Sequence, residues 1–314
     1  MSHELTIRES GKVEFAFRAT DGAPWHGLGQ SMAEGASIED WRVAAGMDWK
    51  VQRGVVRFNV DREGTQIAMP EQHVLFRNDN KMPLGVVSDK YQVVQPAEVL
   101  EFFREIAHVG GLEMSAAGTI YGGKRFWATA KIGDAAPLGL QDKVGGYLLI
   151  STSADGSLST EVRRTTVRVV CRNTLQMARG EKAAMKITHR SKFDASAVHE
   201  FMGLNEVAWS QFRKDMVKLA NTVVTNDTAE RVLKELFKSP ETSGYKKVLD
   251  LFNGAGIGSN LDGSQGTAWG LINSVTEYAD RHVRATSEAN RFVSSQWGPG
   301  NALKAQALNL LLPA

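Results

Sequence analysis

The sequence predicts an α+β protein: an antiparallel β-hairpin sheet with packed helices, followed by a mainly helical C-terminal region. Three observations carry this. Gly122-Gly123 and Asp155-Gly156 each separate two β-like runs, and residues of this kind supply the positive φ angles that close a tight hairpin. The hydrophobic period changes from two residues to about 3.6 near Asp194. Strands joined by such short turns are antiparallel neighbours, which excludes a doubly wound parallel sheet.

Along the chain, the first 70 residues carry the weakest pattern. Trp25-His26-Gly27-Leu28-Gly29 follows Pro24 and reads as a turn. Ser37 stands three residues before Asp40, the spacing of a capping box at the start of a short helix. Val55–Val60 and His73–Arg77 read as strands, and Asp79-Asn80 turns the second into Leu84–Val87. Pro96 opens a helix in which Val99, Leu100, Phe103, Ile106 and Ala107 recur at helical spacing, and Gly110-Gly111 ends it. Strands follow over 112–121, 124–132, 146–153 and 159–171, and a short helix over 173–178 closes the unit. Asp194 caps a long helix with Val198, Phe201, Phe212 and Leu219 on one stripe. Asp227 precedes another, carrying Val232, Leu233, Leu236 and Phe237. Five glycines between Gly254 and Gly266 make a loop, and helices over 267–283 and 301–312 complete the chain. The expected organisation is an α+β core domain over 1–193 and a helical domain over 194–314.

The composition, 42% hydrophobic and 23% charged over 314 residues, is that of a globular protein with enough chain for a full core. No run approaches the roughly 18 apolar residues of a membrane span, so no membrane partner is expected. The first ten residues lack an apolar stretch of the secretory kind. Cys171, the single cysteine, excludes an intrachain disulfide and a multi-cysteine zinc site, and fits a reducing cytoplasm. It falls on the expected core face and reads as a buried, inert thiol. The seven histidines include no pair four apart, and no phosphate-binding loop with its lysine is present. Gly254-Ala-Gly-Ile-Gly258 has neither a strand before it nor a lysine after it, and reads as a linker. Acidic residues are scattered. The sequence therefore assigns no catalytic residue, no metal site and no cofactor.

Charge is more informative. Net charge is only +2, yet residues 161–192 hold nine cations, Arg163, Arg164, Arg168, Arg172, Arg179, Lys182, Lys186, Arg190 and Lys192, against Glu161 and Glu181. A local field of this sign suits a polyanion. In the strand 124–132, alternation puts Phe126, Ala128, Ala130 and Ile132 on a core face and Arg125, Trp127, Thr129 and Lys131 on the other. In 159–171 it groups Arg164, Thr166 and Arg168 opposite Thr165, Val167 and Val169. Two strands with apolar inner faces and basic outer faces would make one surface for a single nucleic-acid strand. Cations would meet phosphates and Trp127 would stack on a base. The plainer alternative is that Trp127 packs under a helix and the cations are solvated.

Several blocks carry a resemblance. Val169-Val-Cys-Arg-Asn-Thr-Leu-Gln-Met-Ala178, Ser153-Ala-Asp-Gly-Ser157, Trp25-His-Gly-Leu-Gly29, Tyr91-Gln-Val-Val-Gln95 and Thr267-Ala-Trp-Gly-Leu-Ile-Asn-Ser-Val-Thr-Glu-Tyr278 resemble, in order, blocks of the phage/plasmid-like proteins grouped as domain of unknown function 932. The resemblance implies a setting, mobile elements and viruses of bacteria, hence a bacterial host cytoplasm, and no activity. More loosely, a helix, antiparallel hairpins and a following helix are similar to the core of single-strand annealing recombinases, which bind single-stranded DNA as homo-oligomeric rings or filaments without a nucleotide; fold alone does not establish function.

The expected function is thus a phage or plasmid DNA-metabolism protein that binds single-stranded DNA and promotes annealing without catalysing a reaction. Arg125, Trp127, Lys131, Arg163, Arg164, Arg168, Arg172, Arg179, Lys182 and Lys186 form the expected contact set. Two alternatives stay open: a metal-dependent nuclease whose acidic ligands meet only in the fold, and a phage interaction or structural protein.

Overall fold

A computed structural model of the chain describes residues 5–21, 27–110, 112–137, 143–168, 174–176, 184–187 and 205–312. The fold is mixed α+β, with a large sheet, a small sheet and a helical C-terminal region.

The large sheet has the order β10-β9-β8-β7-β6-β1-β2, and β11 pairs with the half of β9 that β10 leaves free. Its strands are β1 (Phe15–Arg18), β2 (Gln30–Met32), β6 (Glu113–Ile120), β7 (Arg125–Pro137), β8 (Lys143–Ser153), β9 (Thr160–Arg168), β10 (Thr174–Gln176) and β11 (Ala184–Ile187). Every described pairing from β6 to β11 is antiparallel, as the hairpin signals require, and among the described strands only β1 and β2 are parallel. The β6–β7 connection carries Tyr121, Gly122 and Gly123, all at positive φ (56°, 68° and 96°). The turn therefore needs one left-handed residue more than the glycine pair alone suggests. The small sheet has the order β3-β4-β5, with β3 (Val51–Asn59), β4 (Gln66–Arg77) and β5 (Pro83–Ser88).

Helix α1 (Ile38–Ala44) begins at the expected capping box. Ser37 Oγ accepts from Asp40 N at 3.1 Å, and the Asp40 carboxylate accepts from Ser37 N at 3.0 Å. Helix α2 (Pro96–Gly110) has the predicted limits. The C-terminal region holds α3 (Asn205–Asn221), α4 (Asn226–Phe237), α5 (Ser243–Asp250), α6 (Ala268–Glu277), α7 (Glu288–Trp297) and α8 (Pro299–Leu311). α5 and α7 are absent from the sequence reading; both are short and start at Thr or Ser caps, Thr242 and Ser287. The helix expected over 173–178 is a correction: Thr174–Gln176 is strand β10, paired with Thr165–Val167. An unpaired edge on β9 draws this segment into the ladder, and tertiary pairing overrides its local pattern. The turn at Trp25, the cap at Asp194 and the thiol of Cys171 lie outside the described residues.

The buried apolar side chains form two clusters. The first lies between α1, α2 and the small sheet on one side and the inner face of the large sheet on the other. One cross-strand row of that face reads Ala16, Ala117, Ala128, Ile150, Val162 and Met185. Phe126, Ala128 and Ala130 are buried in it as predicted. The second cluster is the helices' own, with Trp209, Phe212, Met216, Leu233, Val248, Trp269, Leu271 and Leu308, and it takes in Val144 from β8.

An ion cluster ties the small sheet to the large one. Arg77, at the end of β4, is fully buried and donates to Glu14 at 2.7 and 3.1 Å and to Asp79 at 2.7 and 3.0 Å. Its guanidinium lies 4.3 Å from the Trp49 ring centroid, and it also donates to the Gly122 carbonyl. Thr119 on β6 donates to the same Glu14 carboxylate. A buried charge persists only with such complete pairing.

Candidate nucleic-acid interface

The face of the large sheet opposite the first core carries the row Phe15, Gly118, Trp127, Ser151, Glu161 and Lys186. The neighbouring row is Phe17, Ala116, Thr129, Leu149, Arg163 and Ala184. Trp127 and Arg163 thus stand on the face that the strand alternation gives for Trp127. Helix α7 lies over that face. The Trp127 ring is 5.9 Å from Phe15 on one side and 5.9 Å from Phe292 of α7 on the other. Gly118, between Phe15 and Trp127 in the row, lets the two rings meet, since a Cβ there would come within 3.1 Å of the Phe15 ring. Trp127 therefore packs between β1 and α7 and stays partly exposed.

The arginines of β9 are a second correction. Arg163 and Arg164 are both buried, at 4% and 3% exposure. Arg163 donates to Glu161 at 2.8 Å and to the Gln296 carbonyl, and its guanidinium is 5.7 Å from the Trp297 ring. Burial pulls its pKa down, and Glu161 opposes this. Arg164 pairs across the ladder with Leu148 on the inner face, and burial lowers its pKa too. The even positions of β9, with Val162, face the first core, so Arg164 and Thr166 point inward rather than to solvent. The segment Thr160–Thr166 is buried at every position. Alternation cannot orient a strand that is covered on both sides.

Beside this arrangement lies a buried polar group of the helical region. Lys304 of α8 donates to Asp280 at 2.7 Å and to Ser295 Oγ at 3.0 Å, and Ser295 donates to Asp280. Burial pushes the Lys304 ammonium below the ordinary lysine range, and Asp280 pulls it back. Ser295 and Lys304 are both inaccessible, so their contact is structural.

The other expected contact residues separate by place. Arg125 is half-buried, with its guanidinium 5.7 Å from the Tyr121 ring and donating to Ser157 Oγ at 3.1 and 3.2 Å. Lys131 is half-buried in β7 and Lys186 is exposed on β11. Arg168 ends β9 and only its backbone is described; Arg172, Arg179 and Lys182 lie outside the described residues. Among the described residues, Arg163 and Arg164 thus lie buried on opposite faces of β9, apart from Arg125, Lys131 and Lys186.

It assembles a site that the sequence reading missed. An open pocket of about 460 Å³ is lined by Met82, Tyr121, Lys124 and Asp155. Three turns build it: β4–β5, β6–β7 and β8–β9. Met82 packs over Gly122, where a Cβ would come within 2.4 Å of its terminal methyl. Tyr121 is held by donating to Asn290 of α7. Tyr91 donates to the Ser153 carbonyl at 2.8 Å, and burial with the nearby Asp155 carboxylate raises its phenol pKa. The two hairpin turns were legible separately; only the fold shows that they share a rim. Among the described residues no three His, Cys, Asp or Glu side chains gather as metal ligands, and no helix is long and apolar enough to cross a membrane.

The model of the family described as Domain of unknown function (DUF932) matches residues 83–297. The chain belongs to that family. The match runs from the first residue of β5 to the last of α7, so the pocket's Tyr121, Lys124 and Asp155 fall inside the DUF932 region and the β3–β4 hairpin falls before it. No curated protein and no solved structure matches the chain.

Proposed function

We propose that this DUF932 protein binds single-stranded DNA at the Tyr121–Lys124–Arg125 rim and makes or breaks no bond in doing so. One observation carries the reading: an aromatic ring, two cations and an open pocket meet at one end of the large sheet. Such sites hold a single strand by backbone charge and ring stacking. Lys124 and Arg125 would meet phosphates. The pocket is of a size for one base, and the Asp155 carboxylate on its wall suits a base amino group, since carboxylates accept from such donors. The cation excess of 161–192 adds to the field; Arg163 and Arg164 are withdrawn into the core, while Lys186 is exposed. The resemblance of the sequence blocks to phage/plasmid-like proteins supports a role in the DNA metabolism of such elements. The looser likeness to annealing recombinases supports strand annealing within that role.

The test is anisotropy of a labelled oligonucleotide over a salt series. Affinity falls as salt rises, and Lys124→Ala with Arg125→Ala flattens the slope of log K against log salt by about 1.4, at about 0.7 per phosphate. Trp127→Ala lowers the melting temperature and leaves the slope unchanged. No binding at low salt, or parent-like binding by the double variant, overturns the reading.

A further inference from the structure

The small sheet has one largely apolar face that the described residues leave mostly open; Lys81, from the β4–β5 turn, reaches its end with the ammonium 5.8 Å from the Phe76 ring centroid. Gly54, Val74 and Val86 stand opposite one another on it, as do Gln52 with Phe76 and Phe58 with Ile67. Alternation adds Val56 and Val60 from β3 and its continuation, and Met69 from β4. Phe58, Val60, Ile67, Met69 and Val86 are each about half exposed or more, between 46% and 56%. These strand positions include no charged side chain. Arg53 and Arg57 project to the opposite face, where Val51, Leu75 and Val87 enter the first core. A solvated sheet shows the reverse, with polar residues outward.

We infer that this face is the contact between two copies of the chain, packed sheet on sheet across a two-fold axis. The scarcity of charge selects the occupant: Lys81 stands at one end only, so phosphates or a charged peptide would find little to pair with along the face, whereas a second copy brings an apolar face of the same kind. A two-fold contact joins a patch to itself, so one self-complementary face suffices. Its pairing closes at two copies and builds no ring or filament. The five exposed side chains offer on the order of 400 Å² per copy, given 150–250 Å² for a whole aromatic residue. A patch of this size equals the largest one on a typical monomer, which is often a functional surface. With Val56, Val74 and Phe76 the two copies bury about 1,000 Å² in total, the lower bound for a specific interface. The association is therefore concentration-dependent. Edge-to-edge pairing is the alternative geometry, and exposed Lys50, Arg53 and Arg57 along the free edge of β3 oppose it.

Sedimentation velocity of the full chain from about 1 to 100 μM tests this. A monomer–dimer equilibrium is expected, and Phe58→Asp weakens it at least about tenfold, as for a central apolar anchor. Ile67→Lys, directly across the ladder, does the same and serves if Phe58→Asp alters the melting curve. Val223→Asp, at the most exposed apolar residue of the helical region, leaves it unchanged. A parent that is monomeric at the highest concentration overturns the inference, whether or not it captures some other protein. So does a dimer that persists in both face variants.

Discussion

The two sheets differ in how their faces are covered. The large sheet carries α1, α2 and the small sheet on one side and α7 over part of the other, and in β9 it buries two arginines. The small sheet is anchored at its base through Arg77 and Leu75, and its second face, largely apolar, is mostly open among the described residues. The contrast teaches that residue type does not report exposure here. Arginines lie inside the larger sheet while Phe58 and Ile67 lie outside the smaller one. In each case the neighbour decides: Glu161 and Gln296 make Arg163 tolerable, and no neighbour within the described chain receives Phe58.

The comparison breaks most sharply at the anchor. Arg77→Ala leaves Glu14 buried with a lost partner and is expected to cost about 3–5 kcal/mol in urea unfolding. Arg77→Met combined with Glu14→Leu costs less than Arg77→Ala alone, because no fully buried charge is stranded: Arg8, which loses Glu14, keeps Asp48, and Asp79, which loses Arg77, is part-exposed. If the single variant unfolds like the parent, the small sheet does not depend on the large one.

Next, the same substitution on the two sheets gives opposite answers. Phe126→Ala, at a fully buried position on β7, costs about 3–5 kcal/mol by transfer and cavity terms. Phe58→Ala, at 50% exposure, changes unfolding by no more than about 0.5 kcal/mol when measured below the dimerisation range. A large loss at Phe58 in the monomer would mean that the face is covered from within the chain.

The smallest effect is in acid. Burial pushes the Asp79 and Asp48 carboxyls up, but the hydrogen bonds and charges of Arg77 and Arg8 outweigh it and hold both below their ordinary value of 3.8. A carboxyl held lower in the folded state gives stability that is complete above its unfolded value and is lost as pH falls through its folded one. Melting temperature should stay level from pH 7 to about 5 and fall below about 4, and Asp79→Asn should fall less steeply than the parent. A parallel decline in the variant would remove Asp79 from the account.

Much of the architecture could be read from local signals. The capping box at Ser37, Pro96 at the first turn of α2 and the glycines of the hairpins each act within a few residues. The inner face of β7 followed from alternation because Phe126, Ala128 and Ala130 meet one apolar core while Arg125 and Lys131 stay part-exposed on the other face. β9 resisted because Thr160–Thr166 has no exposed side, so its polar residues report hydrogen-bond partners brought from over 130 residues away, as Gln296 is for Arg163. The segment 174–176 resisted because an open sheet edge, not its own spacing, makes it a strand. The pocket was invisible for a related reason: Met82, Tyr121 and Asp155 come from three turns whose meeting no periodicity encodes.

The lid of α7 over Trp127 has a consequence during synthesis. β9 is complete at Arg168, but Phe292 and Trp297, which cover the sheet's outer face, come more than 120 residues later. At roughly 5–20 residues per second the ribosome needs on the order of ten seconds to deliver them. Through that interval the nascent sheet has Trp127 packed on Phe15 but without Phe292, and Arg163 lacks the Gln296 carbonyl that it meets in the finished fold. A factor that shields nascent chains has its longest opportunity here, and a translational pause before Glu288 would lengthen it.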